Sequence, residues 1–311
     1  MKLKTDRRTF IKGSLTFGAA ALLGPDRLSG LLGKDAGGAA DLAVVKGTDY
    51  LANTRRAVDL LGGMSKFVPK GGRVGLLVNA PQWWKLPGSH AHTDIVLAVI
   101  RMCREADAKD IIWLFEPSSD IWDRSPQSRK FGDDIKSLKP FSRNFVDKDV
   151  KGSALKKARV IKELFECETT INISVAKDHA GTRFSCCLKN AMGALTEPTL
   201  RFFHFGSGRS KGDYGDVDFL SQCIADVNLL RKPDLCLADA TVVLGTNGPA
   251  GPGELVRPQK IVAGRDVVAV DTFGAGLLGR SASEIVMLKK AADLGLGTTD
   301  LSRLKINEVA A

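Results

Sequence analysis

The sequence predicts an α/β fold, a mainly parallel sheet with helices on both faces, on three observations. Short β-branched runs alternate with helix-period segments from residue 41 onward, the order that right-handed βαβ crossovers produce. The run Arg73–Asn79 is apolar at successive positions, as a strand covered on both faces requires. The run Thr170–Val175 feeds a polar loop and then a short helix, the arrangement that sets side chains at the carboxyl edge of a parallel sheet.

In chain order, Asp41–Lys46 is a first strand, and Asn53–Leu61 a helix ending at Gly62 and Gly63. Arg73–Asn79 leads into the loop 80–92, which carries Trp83, Trp84 and Lys85 between Pro81 and Pro87. Thr93 or Asp94 caps a helix running to about Ala106. Asp110–Glu116 is the next strand, and 117–153, rich in Ser, Asp, Lys and Arg, is an exposed insertion. Lys157–Cys167 is expected to be a helix, Thr170–Val175 a buried strand and Ser185–Leu195 a short helix. The glycine-rich basic loop Phe202–Asp216 lacks a P-loop's Gly-Lys-Ser/Thr and its feeding strand, and reads as a substrate lid or solvated loop. Phe219–Leu230 is helical, and Pro233–Leu244 is a strand containing Asp239. A second glycine-rich turn, Gly245–Gly253, precedes a strand at Lys260–Ala263, helices at Asp266–Leu278 and Ser283–Leu294, and a last strand at Leu304–Asn307.

The candidate site is the strand-loop-helix 171–195. It gathers Lys177, Asp178, His179, Thr182, Arg183, Lys189 and Asn190 around Gly181. Cationic donors at such a junction suit a carboxylate or phosphate. The bland alternative is that Lys189 and Asn190 pair on a surface helix while His179 is a satisfied loop residue.

Several stretches together resemble the domain of unknown function family DUF362. They are Lys177-x-His179, Leu188-Lys-Asn-x-x-Gly193, Asp226-Val-Asn running to Lys232-Pro-Asp234 with Asp239 beyond, Asn247-Gly-Pro249 with Gly251 and Gly253, Val268–Asp271, and the Ala291–Gly297 ending. The resemblance spans roughly residues 70 to 305 and implies no settled activity. Relatives with ferredoxin-like modules imply redox company for themselves; this chain lacks those cysteine clusters, so neither cluster nor electron transfer carries over.

The first 40 residues read as a twin-arginine signal peptide, with Asp6–Lys12 as the motif and Gly13–Gly24 as an apolar segment shorter than a membrane span needs. The expected partner is the twin-arginine translocase and the expected location periplasmic or extracytoplasmic; residues 41–311 form the α/β domain. Seven of the basic and three of the acidic residues lie in the signal, so the formal charge falls from +10 to +6 without it. What remains forms no basic stripe interleaved with aromatics, so nucleic acid is not an expected ligand. Cys103, Cys167, Cys186, Cys187, Cys223 and Cys236 include no C-x-x-C; Cys186 and Cys187 are expected to face opposite ways on their helix. His90-x-His92 offers two nitrogens to one metal, but spacing identifies no third ligand, and the cofactor stays unassigned.

Two functional classes follow. One is an exported enzyme acting on a small anionic substrate, with His179 and Lys177 as catalytic residues, His179 the acid/base, and Arg183, Lys189, Asn190, Asp239 and Asn247 as ligand contacts. The other is a non-catalytic cofactor-binding or accessory protein of an extracytoplasmic redox complex, with a redox partner.

Overall fold

The computed structural model describes residues 39–83, 85–206 and 216–310. The expected signal, but for its last two residues, Trp84 and the heart of the glycine-rich loop lie outside them. The elements run β1 (Leu42–Lys46), α1 (Tyr50–Leu60), β2 (Arg73–Val78), α2 (Thr93–Glu105), β3 (Asp110–Trp113), α3 (Gly132–Lys136), β4 (Phe145–Asp149), β5 (Lys157–Ile161), α4 (Glu163–Glu166) and β6 (Thr169–Val175). They continue with β7 (Lys177–His179), β8 (Arg183–Ser185), α5 (Cys187–Asn190), α6 (Glu197–Phe205), α7 (Val217–Val227) and β9 (Leu235–Ala240). The last are β10 (Val243–Leu244), β11 (Leu255–Val256), β12 (Lys260–Gly264), α8 (Val267–Leu277), α9 (Val286–Asp293) and β13 (Ile306–Ala310).

Seven strands form one sheet in the order β13-β1-β12-β9-β6-β2-β3. β9, β6, β2 and β3 are parallel to one another, as β13 is to β1. Only β12 runs antiparallel to both its partners. The cause is its connection: β9 reaches β12 through the small β10–β11 hairpin, with no crossover helix to carry the chain back before the next strand begins.

Side chains alternate across the sheet. Ile171 and Ile173, Leu235 and Leu237, and Ile261 and Ala263 join Val58 of α1 and Ile95 and Val99 of α2 in one core. Each such aliphatic side chain contributes roughly 1.5–3 kcal/mol by leaving water. On the opposite face Asn172 donates to the Cys187 carbonyl (2.8 Å), and α5 and α8 pack there. Helices therefore cover both faces of a mainly parallel sheet, as the sequence predicts. Among the described residues no helix is long and apolar enough to cross a membrane.

Two expected elements differ. The segment 157–167 begins as β5, paired antiparallel with β4, and only Glu163–Glu166 is helical. Lys157, Ala158, Arg159 and Val160 alternate exposed and buried, the period of a half-covered strand. The partner strand β4 lies inside 117–153, which is largely surface but is pinned by buried Ile121, Phe131 and Val150. Phe202–Phe205, read as loop, is the last turn of α6.

Candidate functional site

β2 and β6 are parallel neighbours whose connections diverge. From β2 the chain passes through 79–92 to α2 on one face and on to β3; from β6 it passes through β7–β8 to α5 on the other face and eventually to β9. Divergence of this kind opens a crevice at the carboxyl ends of the two strands. Lys177, fully buried, spans it: its Nζ donates to the Ser89 carbonyl and to Asn79 Oδ1 (3.5 Å). Beneath it Asn79 Nδ2 donates to Asn190 Oδ1 (3.3 Å), while Asn190 Nδ2 donates to the Leu77 carbonyl (3.1 Å), Asn172 Oδ1 (2.8 Å) and the Ile173 carbonyl (3.3 Å). Asn190 thus stitches β2 to β6 rather than facing a ligand.

The β7–β8 hairpin sets Lys177 opposite Ser185 and His179 opposite Arg183. His179 Nδ1 accepts from the Gly181 amide (3.1 Å), so the neutral ring carries its proton on Nε2. Arg183 sits in the turn at φ 61° and is exposed, apart from the buried cations. Asp178 locks the hairpin to the second glycine-rich turn: its Oδ2 accepts from the Gly248 amide (2.8 Å) and its Oδ1 from Arg280 Nη2 (2.5 Å), while Ala180 N donates back to the Gly248 carbonyl (3.1 Å). A methyl group on Gly248 would overlap the Asp178 carbonyl, which explains why glycine stands there. Asn247 shapes the same turn at φ 53° through Nδ2 to the Pro252 carbonyl (3.1 Å).

Basic groups dominate the electrostatics. Burial holds His179 far below its ordinary value, and the charges of Lys189, Lys177 and His204 push it the same way. Burial likewise lowers Lys177, helped by Lys189, and lowers Lys189 to about 8. His90 falls to about 4 through burial, with Arg124, Lys177 and His92 adding to it, and His204 to about 4 through burial and Lys189. The neighbours that hold His179 down are two lysines and a second histidine, and Lys189 Nζ meets the weakly accepting thioether of Met192, 3.7 Å away.

Asp239 organises a neighbouring wall. Its Oδ2 accepts from the His92 amide (2.9 Å), and its Oδ1 from the Thr241 amide (3.0 Å) and hydroxyl (2.5 Å); burial raises its carboxyl. Tyr50 stacks on His92 with ring centroids 3.7 Å apart. His92 Nδ1 is used on the Asp94 amide (3.2 Å) and His90 Nδ1 faces the Ala91 carbonyl (3.1 Å), so the pair is not arranged around one ion. The described residues that do converge as ligands are Cys186, Cys187 and Asp271. Trp83 is 72% exposed, while Gln82 beside it donates to Ser119 Oγ (3.1 Å).

The fold therefore brings Lys177, His179 and Lys189 together, and adds Asn79, Ser89, His90 and His204. It leaves Arg183 outside and uses Asn190, Asp239 and Asn247 on internal bonds. Asn79 was legible as the residue ending an apolar strand; Arg280, far along the chain, had no local signal.

A profile of the family described as "Domain of unknown function (DUF362)" matches residues 74–276. A thylakoid-associated protein of Synechocystis sp. is 24% identical over 257 residues, 80% of this chain and 76% of its own length. The matched stretch holds β2, β6, the β7–β8 hairpin and the Gly248 turn, the parts that build the crevice, and the chain belongs to the DUF362 family.

Proposed function

We propose that the chain binds a small anionic ligand, a carboxylate or phosphate, at the carboxyl ends of β2 and β6, with Lys189 and His179 as the contacts and Lys177 holding the two loops. The observation that carries this is the gathering of basic groups: Lys189 has only a thioether as acceptor among the described residues, and buried His179 lies within electrostatic reach of Lys189 and Lys177. An anion seated between them supplies the missing counter-charge and strong hydrogen-bond acceptors. It would also raise the proton affinity of His179, turning a neutral imidazole into an acid able to protonate a leaving group, which is the enzyme-like use of the site.

Calorimetric titration of the full chain with inorganic phosphate and with succinate tests the reading. One of the two binds, and Lys189→Met, which keeps the length and removes the charge, weakens it about tenfold or more. Absence of binding by both, or equal affinity in folded Lys189→Met, refutes it.

We also propose that the protein works outside the cytoplasm, supported by the Asp6–Lys12 motif and compatible with a thylakoid-associated relative. Replacing Arg7 and Arg8 by lysine should then retain the precursor in the cytoplasm; unchanged export in cell fractionation would exclude the twin-arginine route. The exposed side chains of Trp83 and Leu86 favour an accessory role in a redox complex as the second reading, which a chain that binds neither anion would leave in front.

A further inference from the structure

Six cysteines are buried among the described residues, and three of them meet. Cys186 precedes α5 with non-helical backbone (φ −157°, ψ −135°) instead of lying on the helix, so its side chain does not diverge from that of Cys187 as helical neighbours would. The two Sγ atoms are 3.9 Å apart. The Cys236 thiol, from the adjacent strand β9, lies against Cys187. Asp271 of α8 faces the pair, and one ligand atom from each of Cys186, Cys187 and Asp271 falls within 4.8 Å of the others.

We propose that Cys186, Cys187 and Asp271 form a site for a thiophilic divalent cation of the Zn2+ class. Two thiolates bound tetrahedrally at about 2.3 Å stand about 3.8 Å apart, so the observed sulfur spacing already suits a shared ion. The carboxylate is oriented before any ion arrives: Asp271 Oδ1 accepts from the Cys187 amide (2.8 Å) and Oδ2 from the Leu188 amide (2.9 Å), the kind of outer support that ligating carboxylates carry. Each bond formed between a thiol's sulfur and the metal releases one proton. All three residues are fully buried, which means the ion enters as the chain folds rather than afterwards.

The test is expression of the full chain in medium supplemented with Co2+, an optically visible stand-in for Zn2+, followed by anaerobic purification. The expected product holds one Co2+ per chain, shows sulfur-to-cobalt charge transfer and tetrahedral ligand-field bands, and loses both on exchange with Zn2+. Cys186→Ala and Cys187→Ala each cut the bound cobalt about tenfold or more, while Cys223→Ala, on α7, keeps it. A parent without a thiolate band, or cobalt retained in both alanine variants, overturns the proposal. Should those variants fail to fold, X-ray absorption of the parent decides: sulfur scatterers at about 2.3 Å support the site, and a shell of only nitrogen and oxygen overturns it.

Discussion

Gly248→Ala isolates the contact that docks the β7–β8 hairpin. The added methyl carbon would overlap the Asp178 carbonyl oxygen and carbon and stand 3.1 Å from the Asp178 Cα, all backbone atoms that no side-chain rotation can move aside. Hairpin and turn must separate by about 1.5 Å to reach ordinary van der Waals distance. That separation breaks the Gly248 amide bond to Asp178 Oδ2 (2.8 Å), whose acceptor is a carboxylate, and the Ala180 amide bond to the Gly248 carbonyl (3.1 Å). The first is worth about 1.5–3 kcal/mol and the second about 0.5–1.5 kcal/mol, so a loss of about 2–4 kcal/mol is expected. In a domain of this size it lowers the Tm by about 4–7 °C. Urea titration gives the free energy, and amide exchange at Ala180 and Gly248 locates the damage. A loss under about 0.5 kcal/mol, with protection at those amides unchanged, would show that the hairpin is held by something other than this turn.

Two further outcomes are expected. His90 is lowered to about 4 in the folded state, so its contribution is complete above the ordinary histidine value near 6.5 and is lost as pH falls through about 4. Parallel urea titrations between pH 7 and 4 should therefore show the parent losing about 3 kcal/mol more than His90→Gln, and superimposable curves would remove His90 from the acid sensitivity. Asn190→Ala leaves the Leu77 and Ile173 carbonyls and Asn172 Oδ1 without the amide they share, and should cost about 3 kcal/mol by chemical denaturation; a near-neutral effect would mean that water replaces the amide at no cost.

Much of the architecture was legible from local pattern. Apolar runs such as Arg73–Asn79 and the helix-period segments between runs are set by side chains a few residues apart, and they specify strands, helices and a mainly parallel sheet. Where two periods compete, local pattern failed: Lys157–Cys167 carries enough apolar residues for a helix, yet its first half pairs with β4, a partner that sequence reading had placed in a surface insertion. Antiparallel β12 was illegible for a similar reason, because strand direction follows from where a connection ends in space.

At the site, the sequence could place Lys177, His179, Lys189 and Asn190 in one loop-and-helix stretch, since all four lie between residues 177 and 190. It could not sort them by burial or partner. Burial of Lys177 against Ser89, the turning of Asn190 onto β2 and β6 and the meeting of Cys186 and Cys187 with Asp271 all join residues far apart in the chain. By itself the sequence determined which chemical groups stand near the crevice, because strand and helix periods are local. Tertiary structure alone decided which groups face one another, because burial and hydrogen-bond partners are set by packing between distant segments.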